Sequence, residues 1–208
     1  MTLEQLATHT SGLPRMPRNW RSGPNPYKNY TRDKLKEFMQ ENILSRKPGS
    51  VYEYSNLSFG LLGCILEDIE KTPYAQLVQS RICEPLDMKN TVMVLSPDQK
   101  KMKAKPYSTK DTKGYEWDFD ALSACAGLKS NTRDLARYVA ANMEQIPLSK
   151  ELTEAFSMAH KVHFKGDPTL GLAFSKEYGV GVAVLCNSAD GVIGLGTSLM
   201  SQLMKENK

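Results

Sequence analysis

The chain lacks any apolar stretch near the ~18 residues that a membrane-crossing helix requires, so no part of its 208 residues is expected to span a bilayer as a helix. It is also poor in cysteine. Cys64, Cys83, Cys125 and Cys186 lie far apart, with no C-x-x-C pair and no His/Cys ligand spacing. That arrangement supplies neither a metal site nor a redox pair, and buried free thiols are expected instead. Charge of one sign is scarce: 27 Lys and Arg against 23 Asp and Glu leave a formal charge of +4. The densest basic run, Lys100-Lys101-Met102-Lys103-Ala104-Lys105, carries no aromatic or arginine pattern. It reads as a solvated helix face and argues against a nucleic-acid partner. Met1-Thr2-Leu3-Glu4-Gln5 has neither the basic nor the apolar region of a secretory leader, and the compartment stays open. No residue pattern calls for a cofactor, and there is no internal repeat or low-complexity tract.

What is present reads as a folded, mostly helical chain. Apolar residues at 40% and charged residues at 24% are ordinary for a globular protein, and the length suits one well-cored domain or two small ones. A short helix is expected over Thr2–Thr8 with Leu3, Leu6 and Ala7 on one face. Pro14–Tyr30 holds four prolines, Gly23 and the rings of Trp20, Tyr27 and Tyr30. It reads as a long ordered loop, a kind of segment that often borders a binding site. Thr31 should cap a helix to about Leu44 with Leu35, Phe38, Met39 and Ile43 inward. Further helices are expected at about Leu57–Glu70, from Thr72-Pro73 (Thr72 as N-cap) to Pro85, from Ser96-Pro97-Asp98, from Asn131 or Ser130 to about Met143, from Ser149 to about His160, and from about Asp190 to Lys205.

Strand signals are few: Thr91–Val94, Gly114–Trp117 and Tyr178–Leu185. The last contains Val180-Gly181-Val182-Ala183-Val184-Leu185, apolar on both faces, as suits a strand covered on both sides within a sheet. The chain offers hardly any neighbours for it.

Two motifs stand out. One is Leu3-Glu4-Gln5-Leu6-Ala7-Thr8-His9-Thr10-Ser11-Gly12-Leu13-Pro14. The other is Tyr54-Ser55-Asn56, which follows Pro48-Gly49 and leads into a helix containing Gly60-Leu61-Leu62-Gly63. Further on come Cys83-Glu84-Pro85-Leu86-Asp87-Met88-Lys89-Asn90-Thr91 and Ala124-Cys125-Ala126-Gly127-Leu128-Lys129-Ser130-Asn131-Thr132-Arg133-Asp134-Leu135. Near the end are Gly171-Leu172-Ala173-Phe174 and the run from Tyr178 to Asn187-Ser188. Together they resemble the serine β-lactamase and penicillin-binding-protein superfamily, in particular the class C β-lactamase and D-aminopeptidase-like hydrolases.

The resemblance implies an α+β, β-lactamase/transpeptidase-like fold as one incomplete domain over 1–208. Its helical part would run from Pro14 to Ala124, and a truncated antiparallel sheet flanked by helices would fill about 125–208. It implies that Tyr54 is a catalytic proton-transfer group. It also implies that Asn56 binds substrate, bonding its acyl-side amide and orienting the motif lysine. Small-molecule or peptidoglycan-type substrates are implied for the full-length form, and the family is mostly exported.

The family attacks with the serine of S-x-x-K, whose hydroxyl is a weak nucleophile until a base is set against it. None of the serines here has lysine three residues on. The K-T-G or H-x-G segment, which belongs between the last two matched stretches, is also missing, since Lys165-Gly166 and Lys113-Gly114 do not match it. A β-lactamase-related serine hydrolase whose present residues are inactive is therefore expected, or alternatively a non-catalytic module that binds peptidoglycan or a partner. His9 is expected to shape a turn and not to act as a base. His160 and His163 are read as a solvated helix end, and Asp118 and Asp120 as turn caps.

Overall fold

The structure is a computed structural model and describes residues 1–41, 44, 46–109, 112–163, 172–187 and 193–207. In chain order the elements are α1 (Leu3–Ala7), α2 (Arg32–Glu41), α3 (Asn56–Glu70), α4 (Tyr74–Val78), α5 (Pro97–Met102), β1 (Tyr107–Thr109), β2 (Thr112–Lys113), α6 (Ser123–Ala126), α7 (Thr132–Asn142), α8 (Lys150–Ala159), β3 (Leu172–Ser175), β4 (Val180–Ala183) and α9 (Ile193–Glu206). The class is α+β. Most helices begin where a short polar side chain can take an unpaired backbone N–H. Thr2 with Gln5, and Ser96 with Gln99, form capping boxes; Asn131 and Ser149 cap α7 and α8. Thr31 accepts from the Lys34 N–H at the head of α2.

The helix expected from Thr72 starts differently. The Tyr74 N–H donates to the Glu67 carboxylate at 2.7 Å, while the Thr72 hydroxyl turns back to the Glu70 carbonyl. A carboxylate is the stronger acceptor and takes the cap position. The segment then widens into a π-turn at Gln79–Cys83 before Pro85. In α1 only Leu6 is buried, while Leu3 is 44% exposed, because so short a helix presents little more than one position to a core. Ile43, Phe164, Lys165-Gly166, Gly171, Ser188 and the expected start of the last helix at Asp190 lie outside the described residues.

Two compact units are present. The described residues of Met1–Leu77, Tyr115–Leu128 and Val162–Gly166 form one, and those of Val78–Gly114, Lys129–Lys161 and Asp167–Lys208 the other. The core of the first unit joins Leu6, Leu13, Tyr27, Tyr30, Leu35, Phe38, Leu57, Cys64, Ala121 and Leu122. Its Pro14–Tyr30 loop is thus built into the core through Tyr27 and Tyr30, and Tyr30 accepts the Ala121 N–H on its carbonyl at 3.1 Å. Helix α3 runs through this core, and α6 lies directly on it. A Cβ at Gly60 would sit 2.9 Å from the Leu122 Cα and against its side chain, and one at Gly63 would strike Ala124. The Gly-Leu-Leu-Gly spacing is what lets the two helices touch.

In the second unit β3 and β4 pair antiparallel, with Leu172 opposite Ala183 and Ser175 opposite Val180. Among the described residues β3 is the strand neighbour of β4. Helices α7 and α9 both pack on the pair, and Val139 of α7 and Met143, which follows its last residue, crowd Gly181. The apolar run is nonetheless only half-buried: Val180, Val182 and Ala183 are intermediate, Gly181 is exposed and Leu185 is 49% exposed, so the fully covered strand expected from the sequence is not what is found. The Thr91–Val94 strand reduces to a single bridge between Val92 and Lys129. Gly114–Trp117 is not a strand; the local hairpin is β1–β2, closed by the Gly114 N–H on the Pro106 carbonyl. Not all thiols are buried either: Cys64 and Cys83 are, Cys125 is half-buried and Cys186 is exposed.

A buried carboxylate fastens this unit. Asp134, 2% exposed, accepts from the Asn90 N–H at 2.8 Å and the Thr91 hydroxyl at 2.9 Å. The Thr91 hydroxyl also meets the Ser130 hydroxyl at 2.7 Å. Asp134→Ala leaves those donors buried and unpaired, and bonds to a charged acceptor are strong. We expect a loss of roughly 2–3 kcal/mol of stability by denaturant unfolding. In the first unit, Gly60→Ala is expected to cost about 1–3 kcal/mol by forcing Leu122 off α3, read as a lowered melting temperature.

Candidate active-site wall

Tyr54 and Asn56 stand on either side of Ser55, which is fully buried. Ser55 is extended, with φ −137° and ψ 110°, and forms the N-cap of α3. In extended backbone, alternate side chains point to opposite faces, so with Ser55 buried the Tyr54 ring is exposed, while Asn56, the first residue of α3, is half-buried. Three bonds hold it. Its hydroxyl donates to the Pro14 carbonyl at 2.7 Å and accepts the Ser58 N–H at 2.9 Å, while its own N–H donates to His9 Nδ1 at 3.0 Å. The next two N–H groups, of Asn56 and Leu57, converge on the Arg15 carbonyl at 3.1 and 3.3 Å.

The first motif is the frame that receives this turn. His9 adopts a positive φ of 56°, and its carbonyl accepts the Glu53 N–H at 2.8 Å. The Ser11 hydroxyl lies 2.6 Å from that of Ser58 and caps the Leu13 N–H. Gly12 has φ 78°, and a Cβ there would lie 2.6 Å from the Arg46 carbonyl oxygen, so glycine alone fits. His9 serves the turn as expected of it, and burial pushes its pKa below the ordinary imidazole value. The Ser55 N–H requires an unprotonated Nδ1, which fixes the neutral ring as the Nε2–H tautomer.

The Tyr54 ring lies 4.5 Å from the His9 ring and is 38% exposed. The Arg15 guanidinium sits 5.1 Å above it, within cation–π range. On the other side, Asn56 donates through Nδ2 to the Tyr27 hydroxyl at 3.1 Å and approaches the Met16 sulfur at 3.6 Å. Tyr27 is buried and stacks on Phe119 at 4.6 Å, with Trp117 at 5.3 Å and Trp20 at 5.9 Å. Burial raises the pKa of its hydroxyl, against the opposing pull of the bond from Asn56. Arg15, Tyr27 and Trp117 were not singled out as site residues from the sequence. The signal that could have found two of them is the proline-rich aromatic loop, because an ordered loop of that length commonly borders a site.

The other candidates do not join this group. His160 Nε2 bonds Asn142 at 2.9 Å and His163 Nδ1 bonds Glu4 at 2.7 Å, so the two histidines serve separate partners. Asp118 exchanges two bonds with Asn25. Among the described residues no group of three or more His, Cys, Asp or Glu is placed to hold a metal ion. No described helix is long and apolar enough to cross a membrane. The hydroxyls of Ser11, Ser55 and Ser58 are buried in structural bonds, and none faces a lysine as a motif nucleophile would.

Ser55→Ala removes a helix cap and the bond to Pro14. We expect a loss of about 2 kcal/mol in denaturant unfolding. A histidine held neutral by burial contributes stability that is full above its unfolded pKa of about 6.5 and is lost as the pH falls through its depressed folded value. The melting temperature should therefore drop on acidification below about pH 6.5. His9→Gln should flatten part of that drop, leaving the share of His160, whose pKa burial also lowers.

Comparison with known proteins gives the family of the chain. The family model described as Beta-lactamase matches residues 1–200. A beta-lactamase of Providencia stuartii is 32% identical over 161 residues, covering 77% of this chain and 40% of that protein. The D-alanyl-D-alanine-carboxypeptidase/endopeptidase AmpH of Escherichia coli K12 is 39% identical over 99 residues, covering 48% of this chain and 26% of its own length. The chain thus spans well under half the length of either relative. Among solved structures, a class C beta-lactamase superposes with TM-score 0.66 at 26% identity, covering 77% of this chain and 43% of that one. A beta-lactamase/D-alanine carboxypeptidase from Pseudomonas syringae gives 0.64 at 27% identity, covering 76% and 42%. With a match from residue 1 to residue 200 and a fold shared with these enzymes, the chain belongs to the beta-lactamase family, the group of serine β-lactamases and penicillin-binding-protein-like hydrolases.

Proposed function

We propose that this chain carries one wall of the acyl-transfer cleft of a β-lactamase-related serine hydrolase, whose full-length form acts on a β-lactam, a D-amino-acid peptide or an ester. In that reaction the serine oxygen bonds to the substrate carbonyl carbon and the C–N or C–O bond breaks. The serine proton passes to the leaving atom, and water then cleaves the acyl-enzyme. Tyr54 is assigned the proton transfer. Asn56 is assigned the acyl-side amide of the substrate and the orientation of the motif lysine. The observation that supports this reading is the burial of Ser55 in three directed bonds, with Tyr54 exposed on one side of it and the Asn56 amide held by Tyr27 on the other. A Tyr-x-Asn triplet that only capped a helix would need Ser55 but not the bond from Asn56 to Tyr27.

The 208-residue polypeptide by itself is proposed to be inactive. It has no serine with lysine three residues on, and loss of a covalent nucleophile lowers turnover by several orders of magnitude. Incubation with a fluorescent penicillin should leave the purified chain unlabelled, and hydrolysis of a chromogenic cephalosporin should stay at background. A label mapped to one serine would overturn the inactivity.

The alternative is a non-catalytic module that binds peptidoglycan or a partner, favoured by the intact bonding of the Tyr54–Asn56 turn in a chain with no serine that has lysine three residues on. Co-sedimentation with purified peptidoglycan decides between them: retention that Asn56→Ala abolishes supports the module, and its absence supports the hydrolase remnant.

A further inference from the structure

His9 holds the turn by a bond that only one protonation state allows. Its backbone is left-handed at φ 56°, a region that histidine enters more readily than most side chains. From there Nδ1 accepts the Ser55 N–H at 3.0 Å. The ring packs on Tyr54 at 4.5 Å, Phe59 at 4.8 Å and Tyr52 at 5.7 Å. A proton on Nδ1 turns this acceptor into a donor. Two N–H groups would then face each other at a residue, Ser55, that is fully buried, where an unpaired donor is costly. An imidazolium would also be a second cation beside the Tyr54 ring, which already carries the Arg15 guanidinium at 5.1 Å.

The charged groups on the surrounding segments do not offset this. Glu53 is paired with Arg46 at 2.8 Å, next to the further cation Lys47, and Glu4 of α1 is paired with His163 at 2.7 Å. Glu67, Asp68 and Glu70 of α3 lie in its last turn, at the far end from Ser55. Among the described residues no carboxylate stabilises a charged His9, and burial lowers its pKa.

We propose that His9 is a positioning residue for Tyr54 and an acid-sensitive latch: the neutral ring holds the Tyr54–Ser55 turn on the first motif, and a proton at Nδ1 releases the turn while the rest of the core stays folded. In the cleft-wall reading the same step withdraws Tyr54 from the acyl-transfer site in acid, but the latch itself does not depend on that reading. The fold binds the neutral ring, so the latch is closed near neutrality. It opens as the pH falls below about 6.5, the ordinary imidazole value, and through the lower value of the folded chain. One proton limits the change in the opening equilibrium to about tenfold per pH unit.

Amide hydrogen exchange of the 208-residue chain, followed by NMR from neutral pH to about pH 5, tests this. After correction for the intrinsic exchange rate, Ser55 should lose up to about tenfold in protection per pH unit. The loss should run in step with the His9 imidazole shifts and with movement of the Tyr54 ring signals, while the core amides of Phe38 and Cys64 keep their protection. His9→Asn supplies an oxygen acceptor that does not titrate, on a residue that tolerates the left-handed backbone; its Ser55 protection should stay constant across the range. His9→Phe, with no acceptor, should leave Ser55 as poorly protected at neutral pH as the wild-type chain is in acid.

A Ser55 amide unprotected at neutral pH, protection that persists once His9 is protonated, or the same acid loss in His9→Asn would each overturn the latch. So would simultaneous loss at Ser55, Phe38 and Cys64, since the turn would then open only with the whole core. These outcomes are read without any substrate, so they are separate from the labelling and co-sedimentation results that test the cleft wall.

Discussion

The buried hydroxyl of Ser55 is the contact on which the site depends. One small side chain ends a strand-like segment, caps the long central helix α3 and bonds the Pro14 carbonyl of the first motif. Because it points inward, Tyr54 is left exposed on one side, and on the other Asn56 starts α3 with its amide on the Tyr27 hydroxyl. Had Ser55 been apolar, the N–H of Ser58 and the carbonyl of Pro14 would each need another partner inside the core, and an unpaired buried polar group is costly. Geometry at the wall is thus enforced from beneath it.

The same economy recurs elsewhere. His9 adopts a left-handed backbone, accepts the Ser55 N–H and presents its ring to Tyr54, Tyr52 and Phe59. Gly12 and Gly60 are required by close approaches of backbone or side chain and not by catalysis. In the second unit Asp134 ties the Asn90-Thr91 segment to α7, so two stretches far apart in sequence that both resemble the family pattern each hold one half of a buried hydrogen-bonded joint. Family signatures of this kind record packing and bonding as much as chemistry.

Legibility followed the range of the forces involved. Helices announced by a local cap, such as those at Ser96, Asn131 and Ser149, were readable because capping acts over three residues. The helix after Thr72-Pro73 is present, but its cap was misread, because it comes from Glu67 on the preceding helix. The isolated strand signals at Thr91 and Gly114 failed, since a strand exists only by its partner and that partner is not local. At the site, Tyr54 and Asn56 were legible through the motif. Arg15, Tyr27 and Trp117 were not, because their relation to the motif is one of space: Trp117 reaches it only through the ring of Tyr27.

The sequence by itself determined the family, the α+β class, most helix starts and the absence of a serine with lysine three residues on. Each of these is a matter of residue identity at short spacing. Tertiary structure decided that Ser55 of the Tyr-Ser-Asn turn is buried and Tyr54 exposed, which rings gather around Tyr27, and that an apolar strand with a single strand neighbour among the described residues is only half-buried beneath α7 and α9. Burial and long-range hydrogen bonding depend on the whole chain folding back on itself, and no local pattern encodes them.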